Sequence, residues 1–232
     1  MEFERIASDL ETALQILKSN SSITPGQLRF VQRPLALALE RVCRKEEALN
    51  LMAEVAATSY RVEKAGSPIV RSDYTEAFEM AKRHNNYEAA LTFYEVLEEL
   101  PASAGAELAD SFDFVIAGAY CHSRLENRSQ SAEYADRALK MIEAETTGEM
   151  KKKRLSALHL LGRLKREENL IEEAIEFRLR ELAILEGLFG ENSPVLLSVL
   201  DLLIEHYGTL KRMDEMNPLV TRRRQIKRVM DS

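Results

Sequence analysis

The chain has 232 residues, of which 45% are hydrophobic and 30% are charged, with no tryptophan and only 9 glycines. This balance is typical of a soluble helical protein and excludes a disordered or fibrous one. The net charge of -6 disfavours binding of nucleic acid by the whole surface, because such binding needs a basic face that neutralises phosphates.

The N-terminal segment predicts an amphipathic helix over residues 2–18. Its apolar side chains recur every three or four residues, at Phe3, Ile6, Leu10, Leu14 and Leu17. The polar loop around Pro25 then ends this helix, so we interpret residues 1–24 as a capping helix and loop. The acidic start is unlike a signal peptide, and no apolar run is as long as a membrane span. We therefore expect a cytoplasmic protein that does not bind membranes.

From residue 25 onward the sequence repeats with a period of 42 residues. One column of this repeat holds Ala48, Ala90, Ala132, Ala174 and Met216. Such a period is typical of stacked helical hairpins that bury their faces against their neighbours. Five residues before the alanine stands an asparagine in three repeats, Asn85, Asn127 and Asn169, a residue that tolerates the left-handed backbone of a tight turn. We expect one continuous domain of hairpins over residues 25–232.

Five hairpins are predicted. Their first helices lie near residues 27–43, 69–83, 108–125, 150–167 and 194–208, and their second helices near residues 46–64, 86–99, 129–145, 170–188 and 213–229. Ser67 and Ser193 each precede a proline, which is the arrangement favoured at a helix start. The two cysteines, Cys43 and Cys121, are too few for a disulfide framework, and we expect both to be buried thiols.

Several stretches resemble the tetratricopeptide repeat family in its long, 42-residue form, as found in kinesin light chains. The segment LAILEGLFGENSPVLLSVLDLLIEHYGTLKRMDEM at 182–216 is similar to that form, as are NYEAALTFY at 86–94 and the pairing of Gly162 with Ala174. The third repeat places Tyr120 where the fourth has Gly162. The resemblance implies an all-α, right-handed α-solenoid of about five repeats, whose concave groove, lined mainly by first helices, accepts a peptide or helix of a partner protein.

If the groove follows the family, the positions eight, eleven and fifteen before the alanine column face inward. The eight-before column contains Lys82, Arg124 and Arg166, which with Arg163 and His159 form a predicted basic strip. The predicted groove set also includes Asp201 and Glu205. Because guanidinium groups pair bidentately with carboxylates, the strip would suit a protein or peptide with an acidic segment. The alternative is that these charges are solvated or pair locally with Glu79, Glu167 and Glu205.

No residue pattern predicts catalysis. The four histidines lack metal-ligand spacing, and neither a glycine-rich phosphate loop nor a nucleophile beside a base is recognisable. We therefore expect no catalytic residue, no metal and no cofactor, and a protein that is not an enzyme. The basic segment TRRRQIKR at 221–228 is interpreted as complementing the dipole of the last helix, with a nuclear-import or nucleic-acid signal as the alternative.

Three functional hypotheses remain open at this stage. The first is an interaction module, a scaffold or adaptor that binds a partner peptide in the groove. The second is a regulatory array that senses a small molecule or signalling peptide. The third is a homo-oligomer that assembles through its terminal repeats, where apolar surface is left to bury.

Overall fold

A computed structural model of the protein describes residues 2–100, 112–143 and 147–230. The chain forms two compact units, residues 1–110 and residues 111–232. Within the described ranges every regular element is helical, and within each unit consecutive helices pack against one another as hairpins. The all-α hairpin architecture is confirmed within each unit, whereas the single continuous array over residues 25–232 stays a prediction.

The first unit consists of an N-terminal helix followed by two hairpins. Its helices are α1 (Glu2–Ser19), α2 (Pro25–Arg41), α3 (Lys45–Val62), α4 (Pro68–Arg83) and α5 (Tyr87–Glu99), all within a few residues of the predicted bounds. Helix α1 packs against α2 and buries Ala7 and Leu14. Its predicted apolar face is covered only in part, because Phe3 and Ile6 remain exposed.

The second unit contains three hairpins. Its helices are α6 (Phe112–Arg124), α7 (Arg128–Met141), α8 (Gly148–Glu167), α9 (Ile171–Phe189), α10 (Leu197–Thr209) and α11 (Met213–Met230), with a 3₁₀ turn at Pro194–Leu196 before α10. The predicted start of α6 at residue 108 lies outside the described residues. Helix α7 ends at Met141, before the predicted residue 145. None of the helices in the described ranges is long and apolar enough to cross a membrane.

The predicted serine caps are confirmed. The hydroxyl of Ser67 accepts a hydrogen bond from the backbone N–H of Ile69 at 3.3 Å, and that of Ser193 accepts one from Val195 at 3.4 Å. Thr24 starts α2 with a reciprocal capping box shared with Gln27. These side chains satisfy N–H groups that the first turn of a helix leaves unpaired, so the helix starts are set locally.

The same turn joins the two helices of every hairpin. One residue adopts a left-handed backbone, with φ between 59° and 64°; these residues are Cys43, Asn85, Glu126, Asn169 and Lys211. In each turn this residue's N–H bonds to the carbonyl three residues earlier, and the next N–H bonds to the carbonyl five residues before it. That pattern is the Schellman motif. The left-handed roles of Asn85 and Asn169 are confirmed, but that of Asn127 is wrong, because Glu126 takes it.

The third hairpin is therefore shifted by one residue relative to the sequence repeat. Ala48, Ala90 and Ala174 are fully buried where their helices cross, but Ser131, and not Ala132, occupies this place in α7. The hydroxyl of Ser131 donates to the backbone carbonyl of Ala119 at 2.8 Å, which ties α7 to α6. A correct register must be counted from the left-handed residue of each turn.

The shift changes which small residue lies at the third hairpin's crossing. Counted from Glu126, Ala119 corresponds to Gly162 of the fourth hairpin, and the predicted equivalence of Tyr120 with Gly162 is wrong. Both hairpins thus keep a small residue at this position. The prediction for the cysteines is half confirmed, because Cys121 is buried but Cys43 is exposed at its turn.

Candidate functional site

Counting from the left-handed residues brings the predicted inward positions into register. These positions lie three, six and ten residues before the left-handed residue. In the second unit the polar side chains at these positions define what we name the first-helix face, which consists of Tyr120, Ser123, His159, Arg163, Arg166, Asp201 and Glu205. The predicted member Arg124 lies one residue beyond Ser123, at the exposed end of α6.

Side chains of α8 contact both neighbouring first helices on this face. Arg163 donates a hydrogen bond to the hydroxyl of Ser123 on α6. Arg166 forms an ion pair with Glu205 on α10. These contacts join four polar or charged positions of the face, on α6, α8 and α10, into one surface that spans three hairpins.

Lys82 belongs to the first unit and has its own surroundings. Its ammonium lies 2.8 Å from Glu79 and 4.6 Å from the centroid of the Phe78 ring. Together with the pairs Arg166–Glu205 and Arg163–Glu167, the latter at 3.8 Å, this contact shows the local pairing that the sequence offered as the alternative. Such partly exposed pairs are worth about 0–1 kcal/mol each.

A buried ion pair on α9, between Arg178 and Glu181, contacts His159 of the first-helix face. The guanidinium of Arg178 on α9 is 2% exposed, and its Nη1 lies 2.6 Å from Glu181 and 3.0 Å from Nδ1 of His159. Burial raises the pKa of the Glu181 carboxyl, but hydrogen bonds with His159 and Arg178 outweigh it and hold that pKa below its usual range. His159, which is half exposed, is thereby positioned on the face by a buried ion pair.

The fifth hairpin has a charge-reversed version of the His159–Glu181 contact. Asp201 of α10 forms an ion pair with Arg223 of α11. Their sequence separations from the left-handed residue Lys211 equal those of His159 and Glu181 from Asn169. Arg222 of α11 bonds to the preceding hairpin, donating to the Glu186 side chain of α9 and to the backbone carbonyl of Glu191 in the loop after it. Two arginines of the basic segment 221–228 thus hold α11 against the preceding helices.

Solved structures of other proteins share this arrangement of hairpins. One contains the nearly identical TPR-like repeats of a protein from Podosopora anserina named as a kinesin light chain; it has 18% identity, covers 88% of this chain and 96% of that chain, and has a TM-score of 0.64. BtubC (BKLC) from P. vanneervenii has 18% identity, covers 100% and 93%, and has a TM-score of 0.63. This chain has a TPR-like repeat fold.

A third TPR-like structure is YrrB, described as a TPR protein with an unusual peptide-binding site. It has 14% identity, covers 95% of this chain and 93% of that chain, and has a TM-score of 0.55. Comparison with protein-family models and comparison with curated protein sequences each give no match.

Two members of the TPR-like first-helix face were missed by the sequence analysis. Tyr120 lies at the position of Arg163, where the 42-residue spacing pointed to the buried Cys121, and burial raises the pKa of the Tyr120 phenol. Ser123 lies at the position of Arg166, where the spacing pointed to Arg124. The one-residue shift could not be recognised from the sequence repeat. Asn127 aligns with Asn85 and Asn169 in the repeat, but Glu126 is the residue with the left-handed backbone.

The face carries groups suited to polar recognition. Among the residues that the structure describes, no group of three His, Cys, Asp or Glu side chains could hold a metal ion. The side chains on the face are arginines, an imidazole, a phenol, a hydroxyl and two carboxylates. Such groups donate and accept hydrogen bonds from a polar partner, and those on α8 are held in place by their contacts with α6, α9 and α10.

Proposed function

We propose that this protein is an interaction module that binds a peptide or helical segment of a partner protein on its first-helix face. The observation that carries the proposal is the set of exposed Tyr120, His159 and Arg166 with the partly buried Arg163, which extends over neighbouring hairpins and is oriented by contacts beneath and beside it. Pre-oriented aromatic and arginine side chains are the residue types that dominate binding interfaces.

The fold supports this proposal by analogy. YrrB, whose hairpins superpose on those of this chain, is described as having a peptide-binding site. Arginine on the face fits an acidic segment of the partner, because guanidinium groups bind carboxylates in two parallel hydrogen bonds. The proposal assigns the chain no catalytic step and no cofactor, and it places the protein in the cytoplasm as a scaffold or adaptor.

The test begins with capture of partners by the tagged full chain from a lysate of its source organism. Each protein found by mass spectrometry is then purified, and its affinity is measured for the wild type, Tyr120→Ala and Arg166→Glu. We expect both changes to weaken binding by at least tenfold. Arg180→Glu is the matched control, because Arg180 is an exposed arginine of α9 whose described contact is with the ring of Phe177.

A charge swap separates recognition from stability. The double variant Arg166→Glu with Glu205→Arg keeps an ion pair between α8 and α10 but exchanges the two charges on the face. We expect it to fold as the wild type does and still to bind poorly. Partner affinities that stay unchanged in Tyr120→Ala and Arg166→Glu would rule out this face as the binding surface.

Self-association is a second candidate, favoured by exposed apolar side chains at the chain termini. Phe3 and Ile6 of α1 and Val229 and Met230 of α11 are all exposed. If these side chains are buried between copies, the mass measured by light scattering will rise with protein concentration. A constant monomer mass at high concentration would remove this candidate.

A further inference from the structure

A polar cavity lies between the ends of α6 and α8 in the second unit. It has a volume of about 280 Å³ and is lined by Ser123, Arg124, Glu126, Arg128, Arg163 and Glu167. We name it the arginine cavity. Three guanidinium groups and two carboxylates border it, so its lining carries one more positive than negative charge.

Among the described residues, Arg163 and Arg128 keep N–H groups that no carboxylate binds at hydrogen-bond distance. The Nε of Arg163 is buried but has no hydrogen-bond partner among the described residues. Its contact with Glu167 is 3.8 Å long, and that of Arg128 with the same carboxylate is 3.7 Å long. Both distances exceed those of hydrogen bonds, so Glu167 screens the two charges without satisfying their N–H groups.

The first unit contains the corresponding cavity with its charge neutralised. It lies between the ends of α2 and α4 and is lined by Leu37, Glu40, Arg41, Glu76 and Arg83. Glu40 and Ser123 are equivalent, because each stands three residues before a left-handed residue and accepts its N–H. Arg41 and Arg124 are equivalent in the same way.

The two cavities differ in the side chain at the position shared by Glu40 and Ser123. Glu40 binds Arg83 through two parallel hydrogen bonds, of 2.9 and 3.0 Å, and Glu76 binds the same guanidinium at 3.1 Å. Those bonds from Arg83 are the main reason that the pKa of Glu40 lies below its usual range. In the arginine cavity the equivalent side chain is the hydroxyl of Ser123, which brings no charge.

We infer that the arginine cavity binds an oxyanion, a carboxylate or phosphate group of the peptide that occupies the first-helix face, in the place where Glu40 supplies a carboxylate in the first unit. This assignment rests on the proposed function for the source of the anion, but the cavity's affinity for an oxyanion can be measured alone. Carboxylates and phosphates share the planar or tetrahedral oxygen pairs that guanidinium groups bind bidentately.

The test titrates the full chain, labelled with ¹⁵N, with inorganic phosphate and separately with acetate at constant ionic strength. The arginine Nε–H resonances are followed by NMR. We expect the Arg163 resonance to shift saturably with at least one of the two anions, while the Arg83 resonance, whose N–H already bonds to Glu40, stays in place. Phosphate saturating first identifies a phosphorylated side chain as the ligand, and acetate saturating first identifies a carboxylate.

Two variants test the cavity itself. Ser123→Glu introduces the internal carboxylate that Glu40 provides in the first unit, and we expect it to weaken anion binding at least tenfold. Ser198→Glu is the matched control, because Ser198 is exposed on α10 and does not line the cavity. Arg128→Gln removes one cation at a half-exposed position and should weaken binding without unfolding the chain, as judged by circular dichroism.

The outcomes distinguish this inference from the proposed function. If neither anion shifts Arg163, or if Ser123→Glu binds as tightly as the wild type, the inference is wrong even when Tyr120→Ala and Arg166→Glu abolish partner binding. If an anion binds and Ser123→Glu abolishes that binding, the cavity is an oxyanion site even when no partner peptide depends on the first-helix face.

Discussion

The guanidinium of Arg178 lies directly over Gly162, so that a Cβ added to this glycine would be 3.0 Å from Nε and 3.1 Å from Cζ. Arg178 has no freedom to move away, because it is buried, donates a hydrogen bond to Glu181 and contacts His159. The small residue of the fourth hairpin therefore serves two purposes at once. It permits the close crossing of α8 and α9, and it leaves room for the ion pair that positions His159 on the first-helix face.

Gly162→Ala should lower the free energy of unfolding by about 1–3 kcal/mol, because the added methyl group overpacks a buried and constrained site. Gly187→Ala is the matched control in the neighbouring helix, where a Cβ would meet nothing within 4 Å. We expect that control to be neutral or to stabilise the protein by up to about 1 kcal/mol, because alanine favours helix more than glycine does. Urea unfolding of the two variants measures both effects, and equal values would contradict this packing.

Glu181→Gln should destabilise the protein by about 3–5 kcal/mol, because it leaves the buried Arg178 without its counter-charge. The double variant Arg178→Met with Glu181→Leu should recover most of this loss, since apolar side chains of similar size remove both desolvation penalties. A double-mutant cycle by urea unfolding, with the single variants Arg178→Met and Glu181→Leu, gives the coupling free energy between the two residues. Additive effects of the two single changes would show that the residues do not act as a pair.

Stability should fall as the pH falls below about 6.5, through His206 of α10. Burial, and then the charge of Arg178, lowers the pKa of this imidazole from 6.5, with Arg166 acting in the same direction and Glu205 opposing it. Between the two pKa values the unfolded chain binds more protons than the folded chain, so acid favours unfolding. The measurement is the free energy of unfolding from pH 7.5 to pH 5.5.

His206→Gln should remove this part of the pH dependence while leaving the acid-induced loss at lower pH. That remaining loss includes Glu181, whose lowered pKa makes its stabilisation disappear only as the pH falls below about 4.5. An identical slope between pH 7.5 and 5.5 in the wild type and His206→Gln would contradict the assignment to His206.

Two asparagines that look equivalent in the sequence should respond differently to alanine. Asn85 has φ 59°, so Asn85→Ala should cost about 1–2 kcal/mol, because alanine is strained in the left-handed region. Asn127 has φ -76° and caps α7 without a side-chain hydrogen bond, so Asn127→Ala should cost far less. Thermal unfolding compares the pair, and a larger loss for Asn127→Ala would refute the shifted turn of the third hairpin.

The sequence by itself determined most of the local structure. Ser67 and Ser193, each followed by proline, predicted their helix starts, and Asn85 and Asn169 predicted left-handed turns. These features follow from hydrogen bonds and backbone preferences within a few residues of chain. For that reason the apolar spacing of α1 and the 42-residue period located the helices to within a few residues wherever the structure describes their ends, apart from the predicted end at 145. Arg163, Arg166 and Glu205 were correctly placed on first helices for the same reason.

Only the tertiary structure decided which neighbouring residues share a surface. Local preference alone allows either Glu126 or Asn127 to be the left-handed residue of the turn. In the structure it is Glu126, and with this register Ser131 is buried and bonds to the carbonyl of Ala119. That one-residue shift puts Ser123 in the position of Glu40, so at this position the arginine cavity has a hydroxyl group where the first unit has a carboxylate. Such pairings depend on contacts between residues far apart in the chain, and a sequence period carries no information about them.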